Sequence, residues 1–454
     1  MLSHIQIYQF QKCLNNNGAI CSNLMVENSR NLWTLQDERE HPNSVIEWWC
    51  PEAFFKTVED NKKWSLNASF TDYIGASKKP ESLFKITLFD QDDNKRYEYL
   101  DISLNDLLKI PSANDGFGIK YADSYIKGLF PDYKICLKDP DNNITLDLRF
   151  HAKAMPYWVS QKITGGWLPW GLGVYRYGFI PRLDVSGTLN IKNTTLNVKG
   201  VGYYEHVWGD FSFRNPLSLL SGLKRTSSIY TKLIGWWLHN HKIKIPKSIM
   251  FSSENNPFGY DWVWALLDNG WTIFYGNIMF WIMDGPSAGT LILSKDGKTY
   301  EEFCDIVFHY NKTKYVKEYD FYYPSELTIT ARKGREELHL CFKMTSECRK
   351  FINKFPGGRY WRAFIISEAP GMVDGHYLDG EKKTNLAGLC KIEPQRQIST
   401  IGHNSLKLDF ILPPKGIGIS FDFDSHLLGK KLQAEFQLTP CSKITFSLKM
   451  KINF

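Results

Sequence analysis

Two short runs of this chain set ionisable groups among aromatic ones. Glu47-Trp48-Trp49 follows His41-Pro42, and Gly200-Val201-Gly202-Tyr203-Tyr204-Glu205-His206-Val207-Trp208-Gly209-Asp210 forms the second run. On an extended strand successive side chains point to opposite faces, so Glu205, Val207 and Gly209 share one face while Tyr204, His206, Trp208 and Asp210 share the other. An inward His206 would sit in an apolar, aromatic-walled cavity. There burial holds a carboxyl group neutral, and an imidazole can orient it or take its proton. His206 with Glu205 or Glu47 can then protonate an electron-rich double bond, and the π faces of Trp and Tyr stabilise the cation that develops. A competing reading is structural: His and Glu on a strand hydrogen-bond across a barrel end, and Glu47-Trp48-Trp49 packs at its base.

The elements that must position these groups are strands. Period-two alternation recurs at residues 82–90, 144–152, 183–191 and 195–206. Turn chemistry separates the strands at short intervals, at Asp93-Asn94, Lys192-Asn193, Asp268-Asn269-Gly270, Lys295-Asp296-Gly297 and Lys333-Gly334. This rhythm belongs to meanders and barrels. Residues 271–283 read as one long apolar strand, and the turn-rich 283–289 as a junction between an N-terminal β domain, 1–283, and a C-terminal barrel, 284–454. One stretch differs. In 212–257, Ile229, Tyr230, Leu233, Ile234, Trp236, Trp237 and Leu238 recur at three- and four-residue spacing among lysines, predicting a helical insertion. It suits an interfacial helix on anionic lipid and equally a lid over the barrel mouth.

With 454 residues, two domains are the first expectation. Aromatics reach 15% of the chain, suiting strands and the walls of apolar pockets. The net charge of +7 is concentrated: within 212–260, seven basic residues stand against the single acid Glu254, so no diffuse nucleic-acid face is indicated. The nine cysteines are scattered singly, without zinc-ligand spacing or a disulfide framework, and no metal is expected. The start lacks a basic flank followed by an apolar run, and no apolar stretch is long enough to span a bilayer, which predicts a cytoplasmic protein.

The run Gly202 to Gly209, with Glu47-Trp48-Trp49 and the stretches Tyr175-Arg176-Tyr177 and Val185 to Leu189, resembles the carotenoid 1,2-hydratase (hydroxyneurosporene synthase) and AttH-like superfamily. The resemblance spans residues 40 to 400 in motif order and is most specific at 200–210. It implies two lipocalin-like β-barrel domains, no cofactor and apolar isoprenoid or polyketide-like substrates. His206 and Trp208 match the family's H-x-W pair. The family's Tyr-x-Asp, whose Asp is the proton donor, falls on Tyr275-Gly276-Asn277, and Asn277 cannot act as an acid. Either the long insert shifts the alignment, or Glu47, Glu205 or Asp261 substitutes, or the protein is not a hydratase. Glu368, Gly371, Gly375, Gly380, Gly388 and Glu393 resemble the second-domain rhythm, read as turns and close strand approach.

The resulting expectation is a cofactor-independent hydratase or cyclase of an isoprenoid, with His206, Glu205 and Glu47 catalytic. Trp48, Trp49, Tyr177, Tyr204, Trp208, Asp261, Tyr275 and Asn277 would hold the substrate. The alternatives are a terpenoid carrier, or a pericyclase like the similar fungal decalin-forming enzymes, in which the cavity only folds a polyene.

Overall fold

The computed structural model describes residues 33–453 except for 75–79, 104–107, 110–116, 241–247, 253–257, 279–288, 304, 320, 356, 359–360, 401–403, 412–416, 426–429 and 441–445. The fold is all-β: two curled, antiparallel, lipocalin-like sheets with a helical insertion after the first. The first sheet takes thirteen strands, and its spine runs Pro80–Asp90, Lys63–Ile74, Ile46–Thr57, Thr194–Asp210, Gly173–Ile191, Ile144–Ala152, Asp132–Asp139. The second takes ten and repeats the plan: Gly289–Ser294, Thr272–Ile278, Tyr260–Leu267, Lys382–Ser399, Trp361–Asp379, Glu336–Met344. Each sheet is centred on a hairpin of two unusually long strands. The helix Leu223–Asn240 follows the last strand of the first sheet.

Sheet membership moves the predicted boundary. Tyr260–Leu267 pairs with Lys382–Ser399, and Thr272–Ile278 pairs with Gly289–Ser294, so both belong to the second sheet and the change falls between Asp210 and Tyr260. Residues 283–288, read as the junction, lie outside the described residues, but the strands flanking them pair with each other. A Gly- and Pro-rich stretch closes a hairpin as readily as it links domains. Nor does the second sheet absorb the whole C-terminus. Asn404–Ile411, Ile417–Ser425, Lys430–Pro440 and Phe446–Asn453 form a separate five-stranded sheet with Ser248–Ser252 from the insertion.

The central strands are sandwiched. Ile46–Thr57 is buried on both faces over nearly its whole length, and Thr194–Asp210 becomes so from Gly202 to Gly209. Odd-numbered Trp49, Ala53 and Phe55 pack with Phe70, Phe84, Phe150 and Tyr204 inside the first sheet. Phe54, Tyr203 and Val207 face the other way and meet Trp262, Trp264 and Phe274 of the second. Gly209 permits this packing, because a Cβ there would lie 2.3 Å from the Val174 carbonyl oxygen. Trp264 is fully buried, donates Nε1–H to the Pro181 carbonyl at 3.0 Å and stacks on Phe54. Trp264→Ala therefore removes a fully buried indole that joins the two sheets. It should cost about 3–5 kcal/mol, read as a lower urea midpoint.

Candidate active site

Where the two sheets part, beneath the helix Leu223–Asn240, they enclose a cavity of about 950 Å³. This is the upper end of the roughly 300–1,000 Å³ typical of ligand pockets. Trp48, Tyr175 and Tyr177 line it from the first sheet, Tyr260, Trp262 and Phe274 from the second, and Tyr230, Leu233 and Trp236 from the helix. Its walls are mostly apolar and rich in aromatic rings. Strand parity selects them: Trp48, Cys50 and Glu52 alternate onto the cavity face of Ile46–Thr57, and Cys50 sits opposite Glu205 in the pairing with Thr194–Asp210.

Glu205 is therefore the ionisable member of the motif that faces the cavity. Its carboxylate accepts Trp48 Nε1–H at 2.9 Å, Tyr203 O–H at 2.9 Å and Tyr177 O–H, and Tyr177 in turn accepts Trp262 Nε1–H at 2.9 Å. Burial pushes the Glu205 pKa up to about 7 against those hydrogen bonds, with the nearby Glu52 adding to the rise. Three donors aimed at a carboxyl in a dry aromatic site stabilise its conjugate base at the moment a proton leaves.

Glu205 belongs to a larger charged floor. Glu393 also lines the cavity; it accepts Tyr260 O–H at 2.7 Å, and burial raises its pKa. Glu52 accepts from Asn67 at 2.7 Å, and burial raises it too. Behind them Lys391 donates to the Leu66 carbonyl at 2.7 Å and lies 3.4 Å from Glu368 and 3.6 Å from Glu52, while Lys85 lies 3.6 Å from Glu368. Arg349 adds its positive charge beside Glu368. The four carboxyls Glu52, Glu205, Glu368 and Glu393 thus face three cations, Lys85, Lys391 and Arg349. Net charge in a buried site is expensive, and this one is neutral when one carboxyl keeps its proton.

His206 is buried among aromatic rings on the face it shares with Tyr204 and Trp208, but that face is not the one lining this cavity. With Tyr204 and Trp208 it turns away from the cavity into the end of the first barrel, where residues 33–42 close over it and it is fully buried. Its Nδ1–H donates to the Asp37 carbonyl at 2.8 Å, and its Nε2 lies 2.8 Å from Glu47 Oε1. The same oxygen receives His41 Nδ1 at 2.8 Å, and Glu47 Oε2 accepts the His41 backbone N–H at 2.8 Å. Burial alone would raise the Glu47 pKa, but hydrogen bonds and charge from His206 and His41 outweigh it and hold the carboxyl below its usual range. Trp49 stacks on His206 at 4.7 Å and Trp208 on His41 at 3.7 Å. Among the described residues, His41, Glu47 and His206 alone gather three ligand-type atoms within 4.8 Å. Their 2.8 Å contacts are hydrogen-bond lengths, shorter than the roughly 3.3 Å between neighbouring ligands on a tetrahedral zinc. The group fits a hydrogen-bonded histidine–carboxylate cluster rather than a metal centre, and burial lowers the His206 pKa against the pull of Glu47.

Of the other residues singled out in sequence, Trp48, Tyr177, Asp261 and Asn277 border the cavity, whereas Trp49, Tyr204 and Trp208 lie within the first sheet's packing and Tyr275 within the second's core. Asp261 is already committed, paired with Arg396 at 3.0 Å and accepting from Tyr310, and its backbone N–H donates to Asn277 Oδ1 at 2.8 Å. Glu52, Lys85, Tyr203 and Trp262 had not been singled out, and Glu393 only as part of a turn rhythm. One signal was available for this group: Lys85 interrupts the otherwise mostly apolar run 83–89.

No family model matches the chain, and no curated protein matches its sequence. Solved structures do match. The chain is similar to an AttH-like protein from Nitrosomonas europaea, with a TM-score of 0.52 and 17% identity over 81% of this chain and 98% of that one. It is also similar to kievitone hydratase from Nectria haematococca, with a TM-score of 0.52 and 12% identity over 82% of this chain and 95% of that one. At such identities the likeness is one of fold. The protein therefore shares the two-sheet, lipocalin-like architecture of these two proteins, and its chemistry must be argued from its own site.

Proposed function

We propose that the protein is a cofactor-independent enzyme that protonates an alkene of an apolar isoprenoid or terpenoid, with Glu205 as the acid. The observation that carries this reading is the Glu205 carboxyl at the wall of an aromatic cavity, kept protonatable near neutrality by burial and held by three donors. The Glu205 O–H bond breaks as a C–H bond forms, and the positive carbon is enclosed by the faces of Trp48, Tyr177 and Trp262. Water then adds to the cation and returns its proton to the Glu205 carboxylate, so the net change is hydration. Capture by an internal alkene or hydroxyl gives cyclisation instead. The resemblance of residues 200–210 to carotenoid 1,2-hydratases supports this assignment, as does a fold similar to that of kievitone hydratase. His206 and Glu47 act behind the site, fixing the strand that carries Glu205.

The test is turnover in deuterated water. Purified protein is incubated with the apolar extract of its source cells, and new products are read by mass spectrometry after back-exchange of hydroxyl deuterons. Protonation at carbon predicts one deuteron that survives back-exchange, in products heavier by one water for hydration or isomeric for cyclisation. A product without carbon-bound deuterium would replace this reading with a pericyclic reaction. A bound but unchanged ligand would make the protein a carrier.

A further inference from the structure

The helix over the cavity carries two apolar sectors, and the described contacts account for one of them. Thr226, Ile229, Tyr230, Leu233 and Trp236 follow three- and four-residue spacing on the inward side. The helix is anchored there: Thr226 donates to the Leu172 carbonyl, Tyr230 to that of Gly171, and the Arg225 guanidinium stacks on Trp167. The second sector, Leu223, Ile234 and Leu238, is 66%, 51% and 47% exposed. At about 100° per residue these three fall on one stripe bordering the inward sector, and Ile234, which also lines the cavity, stands at its rim. Leu217, Leu219 and Leu220, just before the helix, are exposed as well. Six of the twelve large hydrophobic side chains exposed among the described residues thus lie within 217–238.

Charge settles which occupant suits this patch. Between Asp210 and Glu254 the chain has no acidic residue, whereas Arg214, Lys224, Arg225 and Lys232 lie on or beside the helix. Lys224 is exposed at the edge of the apolar stripe, and Lys232 is exposed farther round the outer side of the helix. A ridge of Leu and Ile with flexible cations on the same helix, in a stretch without acidic residues from 211 to 253, matches the boundary between acyl chains and anionic headgroups. None of the described helices is long and apolar enough to cross a membrane, so the contact is one of surface. We propose that the face formed by residues 217–238 docks the protein on an anionic lipid surface, with the helix lying in the headgroup plane and its inner side roofing the cavity. An apolar molecule dissolved in the leaflet would then meet the cavity rim directly.

Vesicle binding by the full chain tests this independently of any turnover. Co-sedimentation is measured with phosphatidylcholine vesicles and with phosphatidylcholine–phosphatidylserine vesicles. Binding is expected only to the second kind, weakening as salt is raised. Lys224→Glu with Lys232→Glu should reduce it roughly thirtyfold or more, and Leu219→Ser with Leu223→Ser and Leu238→Ser at least about tenfold. All five side chains are exposed, and circular dichroism checks that the variants fold. Equal sedimentation with both vesicle types, or sedimentation unaffected by both variants, would overturn the proposal. So would concentration-dependent dimerisation lost in the leucine variant without vesicle binding, which would assign the face to a second copy of this chain.

Discussion

Glu205→Gln should lower turnover by about three orders of magnitude or more while raising the protein's stability at alkaline pH. The first effect follows from the role of the carboxyl. Gln keeps its size and can still meet Trp48, Tyr177 and Tyr203, but it has no proton to give to carbon. The second follows from linkage. The Glu205 pKa is raised from 4.5 unfolded to about 7 folded, so the native state binds the extra proton between those values. Its contribution to stability is therefore most favourable below pH 4.5 and is lost as pH rises through 7. Replacing it with a neutral amide removes that cost, up to about 3 kcal/mol at pH 8 by the usual ~1.4 kcal/mol per pKa unit. Wild-type turnover should fall on the same limb, declining tenfold per pH unit above 7 as the acid ionises. A variant that is inactive and also less stable at pH 8 would mark Glu205 as structural. An active variant would move the proton donor to Glu393 or Glu52, the other carboxyls bordering the cavity whose pKa burial raises.

Such a trade is expected of the proposed acid site. Three carboxyls with pKa values raised by burial converge on one cavity, and with Glu368 behind them the four carboxyls outnumber the three cations nearby. A fold selected for stability alone would gain by replacing them with apolar side chains of similar volume. Holding a proton in an apolar chamber costs stability, and the aromatic packing between the sheets offsets that cost.

The sequence showed the strand fold and the motif better than it showed the site's geometry. Alternation at 82–90, 144–152, 183–191 and 195–206 with short turns points to antiparallel sheets, and these stretches are strands. Alternation also fixes that Glu205 and His206 point oppositely, but periodicity cannot say which face meets the cavity, because both faces of residues 202–209 are buried. For the same reason Glu52 was hidden. In Ile46–Thr57 the second sheet covers the outer face, and the pattern that normally marks inside from outside disappears. Turn chemistry at 283–289 could not reveal that the strands on either side, Thr272–Ile278 and Gly289–Ser294, pair within one sheet. The pairing of Tyr260–Leu267 with Lys382–Ser399 spans more than a hundred residues and leaves no local trace.

His206→Ala separates the two places where the motif acts. His206 faces the barrel end, so its loss should leave turnover per folded molecule within a few-fold of wild type while destabilising the fold strongly. The variant strands the buried Glu47 carboxylate with only His41, itself partly exposed, and opens a void beneath Trp49. Breaking a buried pair by removing one partner costs about 3–5 kcal/mol. The pH dependence identifies the cause. The Glu47 pKa is depressed in the folded protein, so its pairing contributes stability that is fully present above its unfolded value of 4.5 and is lost as pH falls through the folded value. Denaturant midpoints of wild type and variant should therefore differ most above pH 5 and converge in acid. A constant gap at all pH values would trace the loss to the void instead of the charge. Abolished turnover in fully folded His206→Ala would return His206 to the chemistry, because at this distance from the cavity a positioning role cannot remove all activity while the strand carrying Glu205 stays in place.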